Sequence, residues 1–246
     1  MKTAYFRFYE ELNDFLPEEK KKKQFEHNFR GRDSIKDMVE SLGVPHIEVD
    51  MILVNGYSVD FNYIVQDKDE ISVYPEFESF DISNAQHLRG KPLRNPKFIV
   101  DVQLGTLVKY MRMLGLDTFY RNSYKKNEII EISLKERRVI LTKDKELLKR
   151  TEITHGYWIR NNNPDQQIKE LIKRFDLKNE IKEFTKCIQC NTELINVDKK
   201  DIHEKLPPKI REQQNEFSYC RTCNKIYWKG THYEKMKAAI ARIINF

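Results

Sequence analysis

The sequence predicts an α/β chain: a parallel sheet with helices on both faces, a small strand-rich unit ahead of it and a cysteine-bearing unit behind it. Three observations predict this. Between residues 97 and 180, short apolar runs alternate with segments of helical periodicity, the pattern of a parallel sheet. Before residue 79, runs of strand character surround one amphipathic helix. After residue 180 the four cysteines fall into two Cys-x-x-Cys pairs.

Within residues 1–78, "AYFRFYEEL" alternates as a strand does, and "KQFEHNF" suits its hairpin partner. "DSIKDMVESLG" predicts a helix capped by Asp33 or Ser34. It has Ile35, Met38, Val39 and Leu42 on one face and a stop at Gly43. "DMILVNGYSVD" contains Asn55-Gly56, a two-residue hairpin signal, and "DEISVYPEF" supplies a closing strand. The resulting order, read as ββαββ, is that of a β-grasp, ubiquitin-like fold. "EEKKKK" reads as a solvated turn. Sulfur carriers of the β-grasp type end in a flexible Gly-Gly tail, whereas this unit runs on through "YPEFESFD". Its role is therefore binding, with RNA, a protein partner and the rest of the chain all open as targets. His46 and Arg89 are unassigned, with a surface role as the default.

Residues 79–96 have prolines, a glycine and no periodicity, and read as a linker. From 97 to 180 the elements alternate. The strands are Phe98–Val100, Thr118–Arg121, Val139–Thr142 and "HGYWIR"; the helices are Gln103–Leu114, Asn127–Glu136, "KELLKR" and one starting near Pro164. Residues 181–246 form the cysteine unit, closed by the helix "EKMKAAIARIINF".

Composition limits the function classes. The formal net charge is +6, from 44 Lys and Arg against 38 Asp and Glu, which permits a polyanionic partner without requiring one. No apolar run approaches the roughly 20 residues needed to span a bilayer, so no membrane role is expected. The start, "MKTAYFRFYEELNDF", has charges where a signal peptide has an apolar stretch. The paired cysteines suit a metal in a reducing compartment, and the expected location is the cytoplasm.

Two apolar strands run into carboxylates: "KFIVD" into Asp101 and "VILTKD" into Asp144. In parallel α/β sheets, ligands bind beyond the carboxyl ends of the strands. Paired carboxylates there repel each other unless a cation intervenes. Hard oxygen ligands suit Mg²⁺ or Mn²⁺, which can activate water for attack on a phosphate. The plainer reading is that each aspartate caps the helix that follows it.

"FIVDVQLGTLVKYMRMLGLDTFYRN", "RRVILTKDKELLKR" and "THGYWIRNNNPDQQIKELIKRFDL" resemble the Mut-seven C-terminal RNase family, a branch of the PIN-like nucleases. "VNGYSVDFNYIVQDKDEISVYPEFE" resembles the ubiquitin-like domain often fused ahead of it. "CIQCNTEL" and "CRTCNKIYWKGTHYEKM" resemble the zinc ribbon that completes it. The resemblance implies a metal-dependent ribonuclease with Asp101 and Asp144 among its catalytic acids and RNA as partner. It also implies an acidic loop after "YRN", where this chain has Ser123, Lys125, Lys126 and Asn127, with Glu128 remaining as third ligand and Glu131 in reserve. The alternative reading is a nucleic-acid-binding module that has lost catalysis.

Arg112, Arg121, Asn122, Lys143, Arg160 and Asn161 are the expected RNA contacts, since arginine matches phosphate geometry in pairs of hydrogen bonds. A structural ion pair is the rival reading for Arg112. Asn163 before Pro164 reads as a helix cap. Cys187, Cys190, Cys220 and Cys223 form two knuckles that complete a tetrahedral site, and a closed four-cysteine site of this kind holds structural zinc. A redox role would need one motif rather than two facing pairs. His232 is left to packing or RNA contact. The lysines around this unit, with Tyr219, Tyr227 and Trp228, make a basic and aromatic mixture of the kind that binds nucleic acid; Tyr227 and Trp228 are assigned first to the small core.

Overall fold

The computed structural model describes residues 1–75 and 96–244. The expected linker, apart from Pro96, and Arg89 fall outside the described residues. Those residues divide into two compact units. One draws on Met1–Arg94 and Asp144–Tyr157, the other on Asn95–Lys143 and Trp158–Phe246.

The first unit holds β1 (Lys2–Phe8), β2 (Phe25–Phe29), α1 (Ile35–Ser41), β3 (Met51–Val54), β4 (Tyr57–Val59) and β5 (Glu70–Tyr74). They form one sheet in the order β2-β1-β5-β3-β4. The order is thus ββαβββ, one strand more than ββαββ. Asn55 and Gly56 both take positive φ, 51° and 86°, so the turn is tight enough to fold three further residues back as an edge strand. β1 pairs parallel to β5 and antiparallel to β2, which puts Ala4, Phe6 and Phe8 in the core. Ser34 is the α1 cap, accepting from Asp37 N at 3.2 Å, and Ile35, Met38 and Val39 are its buried face.

His46 is not a surface group. Its side chain is 11% exposed, and its Nδ1 lies 2.5 Å from Glu40 Oε1. The unit also takes in the segment from Asp144, including α4 (Lys145–Leu148). Lys145 Nζ donates to Asp14 O at 3.2 Å and lies over the Phe15 ring at 4.8 Å.

The second unit is built on β6 (Lys97–Val100), α2 (Gly105–Met113), β7 (Thr118–Phe119), α3 (Lys126–Glu136) and β8 (Arg138–Thr142). Next in the chain come β9 (Gly156–Trp158), whose first two residues are grouped with the first unit, and α5 (Pro164–Arg174). Within this unit the strands run β7-β6-β8, with β6 parallel to both β7 and β8. β6 and β8 read as unbroken apolar runs because they are central and covered: Phe98, Ile99, Val100, Ile140 and Leu141 are fully buried. Each such side chain contributes about 1.5–3 kcal/mol by leaving water. α3 packs on these two strands through Ile129 and Ile130, while α2 and α5 pack on each other. Asn163 caps α5 with Pro164 in its first turn, as the sequence reads. β7 stops at Phe119, two residues short of the predicted strand.

The chain then forms β10 (Ile195–Val197), α6 (Lys199–Ile202), α7 (Pro208–Gln213), β11 (Phe217–Tyr219), β12 (Ile226–Trp228) and α8 (Thr231–Ile244). β10, β11 and β12 are an antiparallel sheet over a small core of Ile202, Leu206 and Phe217. Trp228 and Ile226 pack against its edge.

Candidate functional site

Two features of the second unit carry chemistry. The first is the cysteine cluster. Among the described residues, the only group of three or more His, Cys, Asp or Glu side chains close enough to share an ion is Cys187, Cys190, Cys220 and Cys223, whose sulfurs lie within 4.8 Å of one another. Cys187 and Cys223 are 3.5 Å apart, and Cys190 and Cys220 3.3 Å. Four sulfurs about 2.3 Å from a central ion in a tetrahedron would stand roughly 3.8 Å apart, so the donor set and its spacing fit an ion such as zinc.

The thiols also disagree about protons, as crowded acids do without a cation. Burial works to raise Cys190, but hydrogen bonds with Thr192 and the neighbouring cysteines outweigh it and hold it at about 6. Burial and the adjacent thiols push Cys223 up to about 12. A bound cation removes that conflict by favouring all four thiolates.

Local backbone makes each knuckle. Asn191 and Asn224, one residue past the second cysteine of each pair, take left-handed φ of 70° and 58°. Cys187 N bonds Thr192 O at 2.8 Å, and Cys220 N bonds Lys225 O at 2.9 Å. Tyr227 OH lies 3.1 Å from Cys187 Sγ.

The first knuckle is fastened to the parallel-sheet layer by residues the sequence left unassigned or assigned elsewhere. Arg112, expected at RNA, is 4% exposed. Its Nε and Nη2 donate to Thr118 O at 3.1 and 2.9 Å, and its Nη1 donates to Ile188 O and Gln189 O at 3.0 and 2.8 Å. Those last two carbonyls lie between the first two cysteines. Arg112 therefore holds the knuckle, and its rival reading as an ion pair gives way to carbonyl bonding. Asn191 accepts from Thr118 N at 2.8 Å and donates to Asp117 at 2.8 Å, and Asp117 pairs with the buried Arg138 at 2.7 Å. Gly115, at φ +81°, allows the close approach: a Cβ there would stand 2.2 Å from Lys182 O. The Gly after "RML" and the Asn after the first Cys pair were the available signals.

The second feature is the carboxyl edge of the sheet. β6 and β8 end together, Val100 opposite Leu141. Asp101 follows β6 and is 6% exposed. Its Oδ2 accepts from Thr142 Oγ1 at 2.6 Å and its Oδ1 from Val102 N at 2.7 Å. Thr142, which the sequence left as a strand residue, thus fixes the carboxylate. Lys143 donates to Arg160 O and to Asn162 Oδ1. Arg160 stacks over Trp158 at 5.4 Å, and Asn161 donates to Glu170 at 2.7 Å. Lys143 follows β8 and Arg160 and Asn161 follow β9, and the Lys143 hydrogen bonds join the two segments.

The remaining residues are placed locally. Asp144 caps α4, its Oδ1 accepting from Glu146 N and Leu147 N at 3.0 and 3.3 Å. Glu128 is exposed in the first turn of α3 and accepts from Lys125 N at 2.8 Å, the backward half of a capping box. Arg121 and Asn122 are exposed, Arg121 over the Tyr124 ring at 5.6 Å. His232 is exposed at the start of α8. Among the described residues, no helix is long and apolar enough to cross a membrane.

No curated protein and no solved structure matches the chain. The family model described as Mut7-C RNAse domain matches residues 96–240, and the one described as Mut7-C ubiquitin matches residues 1–81. The first match spans both the parallel sheet and the cysteine cluster and supports a nuclease-type function. The chain belongs to the Mut7-C RNase family, with its Mut7-C ubiquitin domain in front.

Proposed function

We propose that the chain is a metal-dependent ribonuclease of the PIN-like class. The observation that carries this reading is Asp101, buried at the carboxyl edge of a parallel sheet and held there by Thr142. A carboxylate kept in a fixed place by a hydroxyl and a backbone N–H, with no cationic hydrogen-bond partner among the described residues, suits a hard divalent ion. Asp144, two residues past the end of β8, and Glu128, at the start of α3, are the further acids of this reading, although the cysteines are the only group of His, Cys, Asp or Glu close enough to share an ion among the described residues. Mn²⁺ or Mg²⁺ held there would orient water and neutralise charge on the phosphodiester. Lys143, Arg160 and Asn161 would receive the RNA backbone, with Arg121 and Asn122 beside α3. The cysteine cluster, closed by four sulfurs, takes structural zinc in this reading.

A second reading is favoured by one observation. Ser123, Lys125, Lys126 and Asn127 are all exposed at the start of α3, so this loop presents positive rather than negative charge. That suits RNA binding and weakens the hold on a cation. Incubating labelled single-stranded RNA with the protein and Mn²⁺ separates the two readings. Cleavage products that need the divalent ion support the nuclease. Tight binding without cleavage, whatever the ion, supports a binding module.

A further inference from the structure

A cavity of about 820 Å³ in the second unit, not lined by Asp101, lies among α2, β12 and α8. Its volume falls within the range of about 300–1,000 Å³ usual for ligand sites. Aromatic and aliphatic side chains make its walls, chiefly Trp228, Tyr227, Tyr233 and Met236. Three lysines stand around it, Lys109, Lys225 and Lys235, all exposed, and no aspartate or glutamate lines it. A neighbouring cavity of about 530 Å³ shares Tyr227, Trp228, Tyr233 and Met236 with it, and its lining includes Glu183 and Glu216, the latter paired with Lys229.

The aromatic walls are held in place from behind. Tyr227 reaches the cysteine cluster through its hydroxyl, 3.1 Å from Cys187 Sγ. Tyr233 packs on Phe184 with ring centroids 4.6 Å apart. Trp228 rests on the core of Ile202, Leu206 and Phe217. Fixed aromatic faces bordered by lysines, with no acid in this lining among the described residues, match a ligand that is flat and apolar in one part and anionic in another. A single strand of nucleic acid is such a ligand, because every base has a face for stacking and every linkage a negative charge.

We propose that this cavity seats bases of single-stranded RNA, with Lys109, Lys225 and Lys235 on the backbone phosphates. The proposal rests on the ribonuclease reading for its choice of RNA. It makes the cysteine cluster the support of a substrate-holding surface.

The test uses the full chain with its zinc, a fluorescein-labelled oligouridylate of about ten residues and no added divalent ion. A Trp158→Phe background leaves Trp228 as the only tryptophan. Stacking is expected to quench Trp228 emission with the same midpoint as the anisotropy change. The combined Lys109→Gln, Lys225→Gln and Lys235→Gln variant alters only exposed side chains. It should bind about tenfold more weakly, with a log–log salt slope about 2 units shallower, given roughly 0.7 per phosphate contact on single strands. Unchanged affinity and slope in the lysine variant, or full binding with Trp228 emission unaltered, overturns the proposal. Cleavage with Mn²⁺ is followed in parallel. RNA cut normally by the lysine variant, with affinity unchanged, removes the cavity and leaves the ribonuclease reading standing. Binding at Trp228 without cleavage keeps the cavity and removes the nuclease. Neither binding nor cleavage removes both.

Discussion

Thr142 Oγ1 donates to Asp101 Oδ2 across 2.6 Å, tying together the ends of two adjacent parallel strands. The hydroxyl is fully buried and the carboxylate nearly so. Thr142→Val keeps the shape of the side chain and removes the donor. It should destabilise the protein by about 1–2 kcal/mol, the usual result of leaving a buried acceptor short of one partner. Mn²⁺-dependent cleavage should fall with it, while Thr142→Ser restores both. Denaturant unfolding and RNA cleavage measured on the same preparations check this; a Val variant as stable and active as wild type removes the role given to Thr142.

Arg112 separates a structural role from an RNA contact. Lysine at this position keeps the charge but cannot reach Thr118 O, Ile188 O and Gln189 O together. Arg112→Lys should lower thermal stability by about 2 kcal/mol or more, since hydrogen bonds from charged groups are worth about 1.5–3 kcal/mol. It should also speed zinc loss to a chelator. The salt dependence of RNA binding should not move. A slope shallower by about 0.7 with stability intact would return Arg112 to the RNA.

The metal itself is countable. Purified protein is expected to contain about one zinc per chain. Cys223→Ser should lose the ion and release the small core of Ile202, Leu206 and Phe217, because such ribbons draw their folding free energy from the metal. Elemental analysis, together with Trp228 emission in a Trp158→Phe background, measures both. A well-folded protein with negligible zinc contradicts the assignment.

Much of this was legible in the sequence. Unbroken apolar runs gave β6 and β8, since strands buried on both faces leave nothing to alternate. The cysteine spacing gave the cluster, because two intervening residues suffice to turn two sulfurs towards one ion. Pro164 after Asn163 gave the start of α5. What stayed hidden depended on tertiary contacts. Arg112 looks the same in sequence whether it meets phosphate or carbonyl oxygen. Thr142 looks like any strand residue until Asp101 arrives from 41 positions away. The grouping of the Asp144–Tyr157 segment with the ubiquitin-like residues has no local signal, because its helix is four residues long and offers no periodicity to read. The strand Tyr57–Val59 is signalled by the Asn55-Gly56 hairpin but left out of the order ββαββ, because three residues are too few to alternate visibly.

His46 gives the first unit a pH dependence. Burial holds the ring below its ordinary value of 6.5, against the pull of Glu40. His27 is lowered in the same sense, by burial and by Lys20. A lowered value means that the folded state binds fewer protons than the unfolded one. The stabilisation is present above about pH 6.5 and is lost as the pH falls towards the folded value. Unfolding of the first unit should therefore need less denaturant at pH 5 than at pH 7.5. His46→Gln should flatten that difference in part, with His27 supplying the remainder. A variant with the same pH profile as wild type would exclude His46 as the source.

The central claim is that Asp101 and Asp144 hold the ion that cuts RNA, and cleavage of single-stranded RNA in Mn²⁺ by wild type, Asp101→Asn and Asp144→Asn tests it most directly. Asparagine keeps the size and a capping acceptor but removes the charge, so the folds should survive. Because this loop has Lys125 and Lys126 where acids are expected, activity should be weak and stronger with Mn²⁺ than with Mg²⁺. Each variant is expected to lose about 100-fold or more, the scale on which losing a charge that stabilises a transition state registers. Zinc content and RNA affinity should remain at wild-type levels. Wild-type cleavage that both variants match would place the chemistry elsewhere in the chain.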